Sequence, residues 1–359
     1  FKMSRFMCAD LAALEPYVPG EQPQDKKYIK LNTNESPFPP AEGVKRAVCE
    51  RADMLNLYSD PVCTVFRRAA AERYGLGVEN VSPGNGSDEN LLHIFYAFLR
   101  DKGVAFPDVT YGFYKVLCGA LGIEYKIVPL KADFSINAAD YASINTPVCI
   151  ANPNAQTGIY LPPEEVEKLV LQNTARLVII EEAYIDFGGQ SCAPLVNKYD
   201  NLIVVQTLSK SRSLAGARAG VSFACEALTA DIEKVRCSLN PYNINSMTMY
   251  AAAAALKDVP YFEKCTREVQ SVREYAATTL KNYGFYVLPS LSNFLMAKAE
   301  GVSGQKLYEK LKERGILVRH FSDERIKDFI RVSIGTRAQT EQFLHAAIEI
   351  VREELHENG

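Results

Sequence analysis

From about Gly43 onward the chain alternates short apolar runs with helical stretches, and that order restricts the fold more than any other feature. KGVAFPDVTY, IEYKIVPL, TPVCIANPN, ARLVIIEEAY and NLIVVQTLSK each hold a brief apolar core bounded by polar residues, the signature of buried strands. NVSPGNGSDENLLHIFYAFLR reads as a short strand, a glycine-rich turn and an apolar helix. FRRAAAERYGLG is a helix with Gly75 just past its end, and LPPEEVEKLVLQ opens a helix with proline and acids in its first turn. Strands that alternate with helices pair in parallel, because each helix carries the chain back across the sheet and covers it. The expectation is an α/β fold with a mainly parallel sheet between helices. Ligands of such sheets lie at the carboxyl ends of the strands.

The two ends of the chain read differently. Residues 1–42, with LEPYVPG and KLNTNESPFPP, are rich in proline and asparagine and predict an extended arm lying on the rest. SGQKLYEKLKERGILVRHF, with Gly315 as a helix stop, and FIRVSIGTRAQTEQFLHAAIEIVREEL predict helix, strand, strand and helix, hence a smaller α+β domain over 261–359. Between them, 43–260 is expected to be the large domain, with 242–274 as a helical connector. The leading FKMSRFMCAD has no apolar core of a secretory segment, and Met3 is the expected start behind Phe1 and Lys2.

Composition narrows the chemistry. A net charge of −3 lacks the basic face that a nucleic-acid binder needs, and no apolar run nears the ~20 residues of a membrane span. The nine cysteines are scattered without a C-x-x-C pair, and the four histidines are isolated. Reduced thiols in a cytoplasmic protein, with no metal, are expected. Demanding chemistry then falls to lysine, carboxylates or an organic cofactor.

The polar residues at the strand ends supply such a set. GNGSDE (84–89) opens a helix whose free N–H groups and dipole suit a phosphate, although alone it is equally a tight turn. EEAY puts Glu181 at a strand end, where a buried carboxylate needs a cationic partner. TLSKSRSLAGARAG puts Lys210 at the next strand end and Arg218 eight positions on. A loop lysine is ordinarily a solvated one. Here phosphate cradle, carboxylate, lysine, arginine and the aromatic rings of FPDVTYGFY are together the parts that hold pyridoxal phosphate.

At these residues the chain resembles the fold-type I pyridoxal-phosphate aminotransferases. The resemblance runs from about Tyr17 to Thr340 through PYVPG, KLNTNESPFPP, YSDP, ERYGL, GNGSDE, PDVTYGFY, EEAYIDF, TLSKSRSLAGARAG and RVSIGTR. It implies a seven-stranded sheet, a homodimer, and transamination of L-histidinol phosphate with 2-oxoglutarate. It further implies Lys210 as Schiff-base lysine and proton shuttle. Gly86, Ser87 and Asp88 would cradle the phosphate with Thr207, Ser209 and Arg218. Tyr111 would stack on the cofactor ring, Glu181 would hold its nitrogen proton, and Tyr184 with Asn154 would meet its hydroxyl oxygen. Tyr58 would reach the partner subunit's cofactor, while Tyr17, Asn34, Arg319 and Arg331 would bind substrate.

Two positions depart from the family pattern. The asparagine that normally precedes PTG is Ala155, followed by Gln156, and the usual strand-end aspartate is Glu181. A threonine-phosphate decarboxylase, an aromatic amino-acid aminotransferase and a cofactor binder without turnover share the remaining features and stay open.

Overall fold

The computed structural model describes residues 4–357, so Phe1, Lys2 and Met3 lie outside the described residues. Strand β1 (Ile29–Lys30) precedes helices α1 (Glu42–Ala52) and α2 (Thr64–Tyr74). Next come β2 (Val81–Gly84), α3 (Ser87–Phe98), β3 (Val104–Pro107), α4 (Phe113–Leu121), β4 (Tyr125–Val128) and β5 (Val148–Ala151). The run continues with α5 (Pro163–Leu171), β6 (Val178–Glu181), β7 (Leu202–Thr207), β8 (Gly220–Ala224), α6 (Glu226–Leu239), α7 (Ser246–Lys257) and α8 (Val259–Asn282). Last are β9 (Phe285–Val287), β10 (Phe294–Ala299), α9 (Gly304–Glu313), β11 (Ile316–Leu317), β12 (Arg319–His320), β13 (Ile330–Ser333) and α10 (Arg337–Glu357).

The main sheet has seven strands in the order β2-β8-β7-β6-β5-β3-β4. Its ladders are parallel except for β8, which runs antiparallel to both neighbours. Alternate side chains along each strand point to opposite faces. Phe106, Cys149, Ala151, Ile179, Ile203 and Val205 enter one core, whereas Ala105, Val148, Ile150, Val178, Ile180 and Val204 enter the other. Residues of α1, α2, α5 and α7 pack in the second core. The first core takes in α3, α4 and α8 and continues through β10, β13 and α10. Burial of both faces explains why these strands read as continuous apolar runs.

Three readings need correction. IEYKIVPL was expected to be a buried strand, but β4 is the sheet edge and Tyr125, Lys126 and Ile127 are exposed. GVSFA, not recognised as a strand, is the fully buried β8. Glycine and serine depress strand propensity, yet Gly220 is required there. A Cβ on it would sit 2.3 Å from the Ser87 amide nitrogen. The four-stranded sheet β12-β13-β10-β9 also exceeds the two strands expected near the C-terminus. Three-residue β9, with Tyr286 exposed, is too short to show a period.

The helix boundaries follow local chemistry. Gly75 closes α2 at φ 66°, a left-handed conformation that costs glycine least. Pro163, Glu164 and Glu165 open α5, where no amide partner is lost and acids meet the positive dipole end. Leu31, beyond β1, donates its amide to Leu317 and accepts from that of Ser333, lacing the N-terminal segment to β11 and β13. Among the described residues no helix is long and apolar enough to cross a membrane.

Candidate active site

Parallel strands deliver their carboxyl ends to one edge of the sheet, and antiparallel β8 enters that same edge by its amino end. Glu181 and Thr207 end β6 and β7, the Gly86 turn follows β2, and Arg218 lies just before β8. A cavity of about 310 Å³ opens there. It is lined from the sheet by Ser87, Asp88, Tyr111, Glu181, Tyr184, Thr207, Ser209, Lys210 and Arg218. Tyr17 and Asn34 contribute from the N-terminal segment, and Arg319 and Arg331 from β12 and β13.

Lys210 is half-buried, and its Nζ donates to the Thr33 carbonyl at 3.2 Å. Burial lowers its pKa to about 8, with the Arg331 and Arg218 charges acting the same way against Glu35 and Asp88. A neutral fraction far larger than that of an ordinary lysine is therefore available near neutral pH, as a nucleophilic amine requires.

One end of the cavity suits a phosphate. Gly86 precedes α3 at φ 81°, and a Cβ there would lie 2.4 Å from Arg218 Nη2. Gly86 and Gly220 thus let the turn, β8 and the guanidinium close together. Among the described residues, the amides of Ser87 and Asp88 have no acceptor within the chain, and they head a twelve-residue helix. Arg218 donates to Asp88 Oδ2 at 2.8 Å, and Tyr111 donates to Asp88 Oδ1 at 2.9 Å. Thr207 and Ser209 bond each other at 2.9 Å beside them.

The floor is acidic. Glu181 is 4% exposed and accepts from Tyr114 Oη at 2.7 Å. Burial raises its pKa to about 7, and nearby Asp88 adds to the rise. The opposite end is cationic. Arg331 donates to the Ala155 carbonyl at 2.9 Å and to Gln156 Oε1 at 3.2 Å, while its buried Nε has no partner among the described residues. Arg319 donates to the carbonyls of Pro19 and Val18 and so holds the segment that carries Tyr17. Tyr17 meets Tyr111 edge-on, with centroids 5.9 Å apart. Tyr184 accepts from Asn34 Nδ2 at 3.1 Å.

One expected site residue lies elsewhere, while Tyr58, expected to serve the neighbouring subunit's cofactor, lies outside this chain's own cavity. Asn154 is buried and donates to the Val109 carbonyl, while its Oδ1 accepts from the amides of Gln156 and Thr157. Its carboxamide is consumed in the turn, so Ala155 and Gln156 line the cavity instead. Tyr58 is 83% exposed, stacked on Tyr242 with centroids 4.6 Å apart, and outside the cavity. Thr33, Glu35 and Phe321 were missed, Tyr114 was noted only as one ring of FPDVTYGFY, and Gln156 only as a departure from the family pattern. Of the three, only Glu35 carried a signal, a lone acid within the asparagine-rich NTNESP.

This sheet order and this site define a fold-type I pyridoxal-phosphate transferase. Residues 26–346 match the aminotransferase class I and II family, and the chain belongs to it. A histidinol-phosphate aminotransferase of Clostridium acetobutylicum is 44% identical over 97% of this chain and all of that protein. The solved histidinol-phosphate aminotransferase of Sinorhizobium meliloti, in complex with pyridoxal-5'-phosphate, superposes with a TM-score of 0.84. That match covers 91% of this chain and 92% of the other, at 24% identity. An L-threonine-O-3-phosphate decarboxylase of Porphyromonas gingivalis superposes at 0.79, over 90% of this chain and 99% of the other, at 19% identity. Fold alone therefore does not choose between transamination and decarboxylation.

Proposed function

We propose that this chain transfers the amino group of L-histidinol phosphate to 2-oxoglutarate, using pyridoxal phosphate and yielding imidazole-acetol phosphate and glutamate. The observation that carries the reading is Lys210, a lysine of lowered pKa in a cavity with a separate anion-binding group at each end. The near-full-length likeness to histidinol-phosphate aminotransferases supports the choice of donor.

The residues fit the cofactor. The free amides of Ser87 and Asp88, with Arg218, Thr207 and Ser209, would receive the phosphate, and the missing Cβ at Gly86 leaves room for the Arg218 guanidinium beside them. Among the described residues, Glu181 is a buried carboxylate with a single hydrogen-bond donor and no guanidinium partner, and a protonated ring nitrogen would complete it. Pyridoxal phosphate, when bound, supplies an electron sink for the pair left at the substrate Cα. Lys210 would hold the cofactor covalently, and its Nζ would carry the substrate Cα proton. Tyr111 would lie against the ring, and Tyr184 would donate to its hydroxyl oxygen. Arg331 and Arg319 take the substrate anion, a phosphate in one half-reaction and a carboxylate in the other, because a guanidinium fork suits both. Tyr17, which lines the cavity beside Tyr111, would bind substrate together with these arginines. In a cytoplasmic homodimer, exposed Tyr58 reaches the neighbouring cofactor.

The test is turnover by the cofactor-loaded protein. Glutamate is expected to form from 2-oxoglutarate when L-histidinol phosphate is supplied. Carbon dioxide release from L-threonine phosphate without glutamate formation would overturn the reading.

A further inference from the structure

The N-terminal segment, β13 and the turn after β6 meet in a buried hydrogen-bond chain beneath the cavity. Asn34 sits at φ 56°, and its amide N–H donates to Ser333 Oγ at 2.9 Å. Ser333 Oγ in turn donates to Asn34 Oδ1 at 2.8 Å. The Asn34 carbonyl accepts from Asn293 Nδ2 at 2.9 Å, and Asn34 Nδ2 donates to Tyr184 Oη at 3.1 Å. Asn34 is 1% exposed and Ser333 4%.

The directions of these bonds follow from what each atom can do. A backbone N–H only donates, so the Ser333 oxygen must accept from Asn34 and its own proton remains for Asn34 Oδ1. Turning the Asn34 amide over would aim two N–H groups at the Ser333 oxygen and leave that hydroxyl's proton without an acceptor, a costly arrangement in a buried site. The amide is therefore held with Nδ2 toward Tyr184, whose oxygen must accept. Among the described residues, the Tyr184 proton then has no acceptor within the chain, and Tyr184 lines the cavity.

We infer that Ser333 and Asn34 are positioning residues that force the Tyr184 O–H into the cavity, toward the ring oxygen of bound pyridoxal phosphate. The inference rests on the aminotransferase reading and moves Asn34 from substrate contact to donor control. Each member polarises the next, so the hydroxyl of Ser333, which lines no part of the cavity, acts on the cofactor through two intervening groups.

The readout is the absorbance titration of the cofactor–lysine linkage in the loaded protein. A hydrogen bond from Tyr184 stabilises the ionised ring oxygen, so weakening it raises the pKa of the linkage. Ser333→Ala is expected to raise that pKa by about one unit, the size of one charge-assisted hydrogen bond. Ser333→Thr keeps the hydroxyl and is expected to restore it. Asn34→Asp preserves shape and tolerance of positive φ, replaces the donor by an acceptor and turns the Tyr184 proton away from the cavity. Its shift is expected to be the larger. On a Tyr184→Phe background, Ser333→Ala is expected to add nothing. Unchanged titrations in Ser333→Ala and Asn34→Asp, or a Ser333→Ala shift that persists without the Tyr184 hydroxyl, would overturn the inference while leaving the aminotransferase reading intact. A chain that binds no pyridoxal phosphate would overturn both.

Discussion

Glu181 and Glu182 are adjacent, both buried, and both pushed up to about 7, chiefly by burial. Their surroundings differ. Glu182 points away from the cavity into a finished network and accepts from Ser191 Oγ at 2.6 Å, the Cys192 amide at 2.6 Å and Gln206 Nε2 at 2.7 Å. Tyr74 donates to Gln206 behind it. Glu181 faces the cavity with Tyr114 as its only hydrogen-bond donor among the described residues. A perturbed pKa alone thus does not distinguish scaffold from site. The count of donors around the carboxylate does, because a buried charge persists only where its bonds are completed, by the chain or by a ligand.

The largest expected effect lies beside this pair. Lys210→Ala removes the proposed nucleophile and proton carrier, and kcat should fall ~10⁴-fold or more with unchanged circular dichroism. Residual activity near wild type would sink the assignment of Lys210. Next come the two acids themselves. Glu181→Gln should lower kcat by about 10²-fold, the cost of one strong charge-assisted contact, without lowering the unfolding midpoint of the cofactor-free chain. Glu182→Gln should leave kcat within a few-fold and destabilise by about 1–3 kcal/mol in urea titration, since an amide cannot satisfy three donors. If the two swaps proved interchangeable, donor count would not be what separates the acids.

The smallest effect is a slope. Each glutamate has a folded pKa above its unfolded one, so the folded chain binds the proton more tightly between ~4.5 and about 7. The stabilisation is full below the lower value and is lost as pH rises through about 7. Pyridoxal phosphate should remove the part due to Glu181 by giving its anion a cationic partner, and leave the part due to Glu182. Calorimetric midpoints from pH 5 to 8, with and without cofactor, measure the difference.

Much of this was legible in advance. Apolar runs ending in polar residues place β3, β5, β6 and β7, because strands buried on both faces cannot alternate. Gly86 and Lys210 were readable because a turn at a helix start and a cation at a strand end are local patterns. Asn154 was misplaced because its residue type suits a turn as well as a ligand, and only the acceptor at Val109 decided between them. Tyr114 was readable only as one ring of FPDVTYGFY, and its hydroxyl's bond to Glu181, 67 positions away, was not.

By itself the sequence determined a parallel α/β sheet, the edge where its strands end, and the lysine, carboxylate and glycine turn placed there. These depend on side-chain alternation and backbone sterics within a few residues. The tertiary structure decided what faces Lys210: the Thr33 carbonyl from 177 positions away, Arg319 and Arg331 from the C-terminal strands, and the Asn34–Ser333 contact across 299 positions. No local pattern encodes such pairs, because they form only when separate packed surfaces close on one another and bury the polar groups between them.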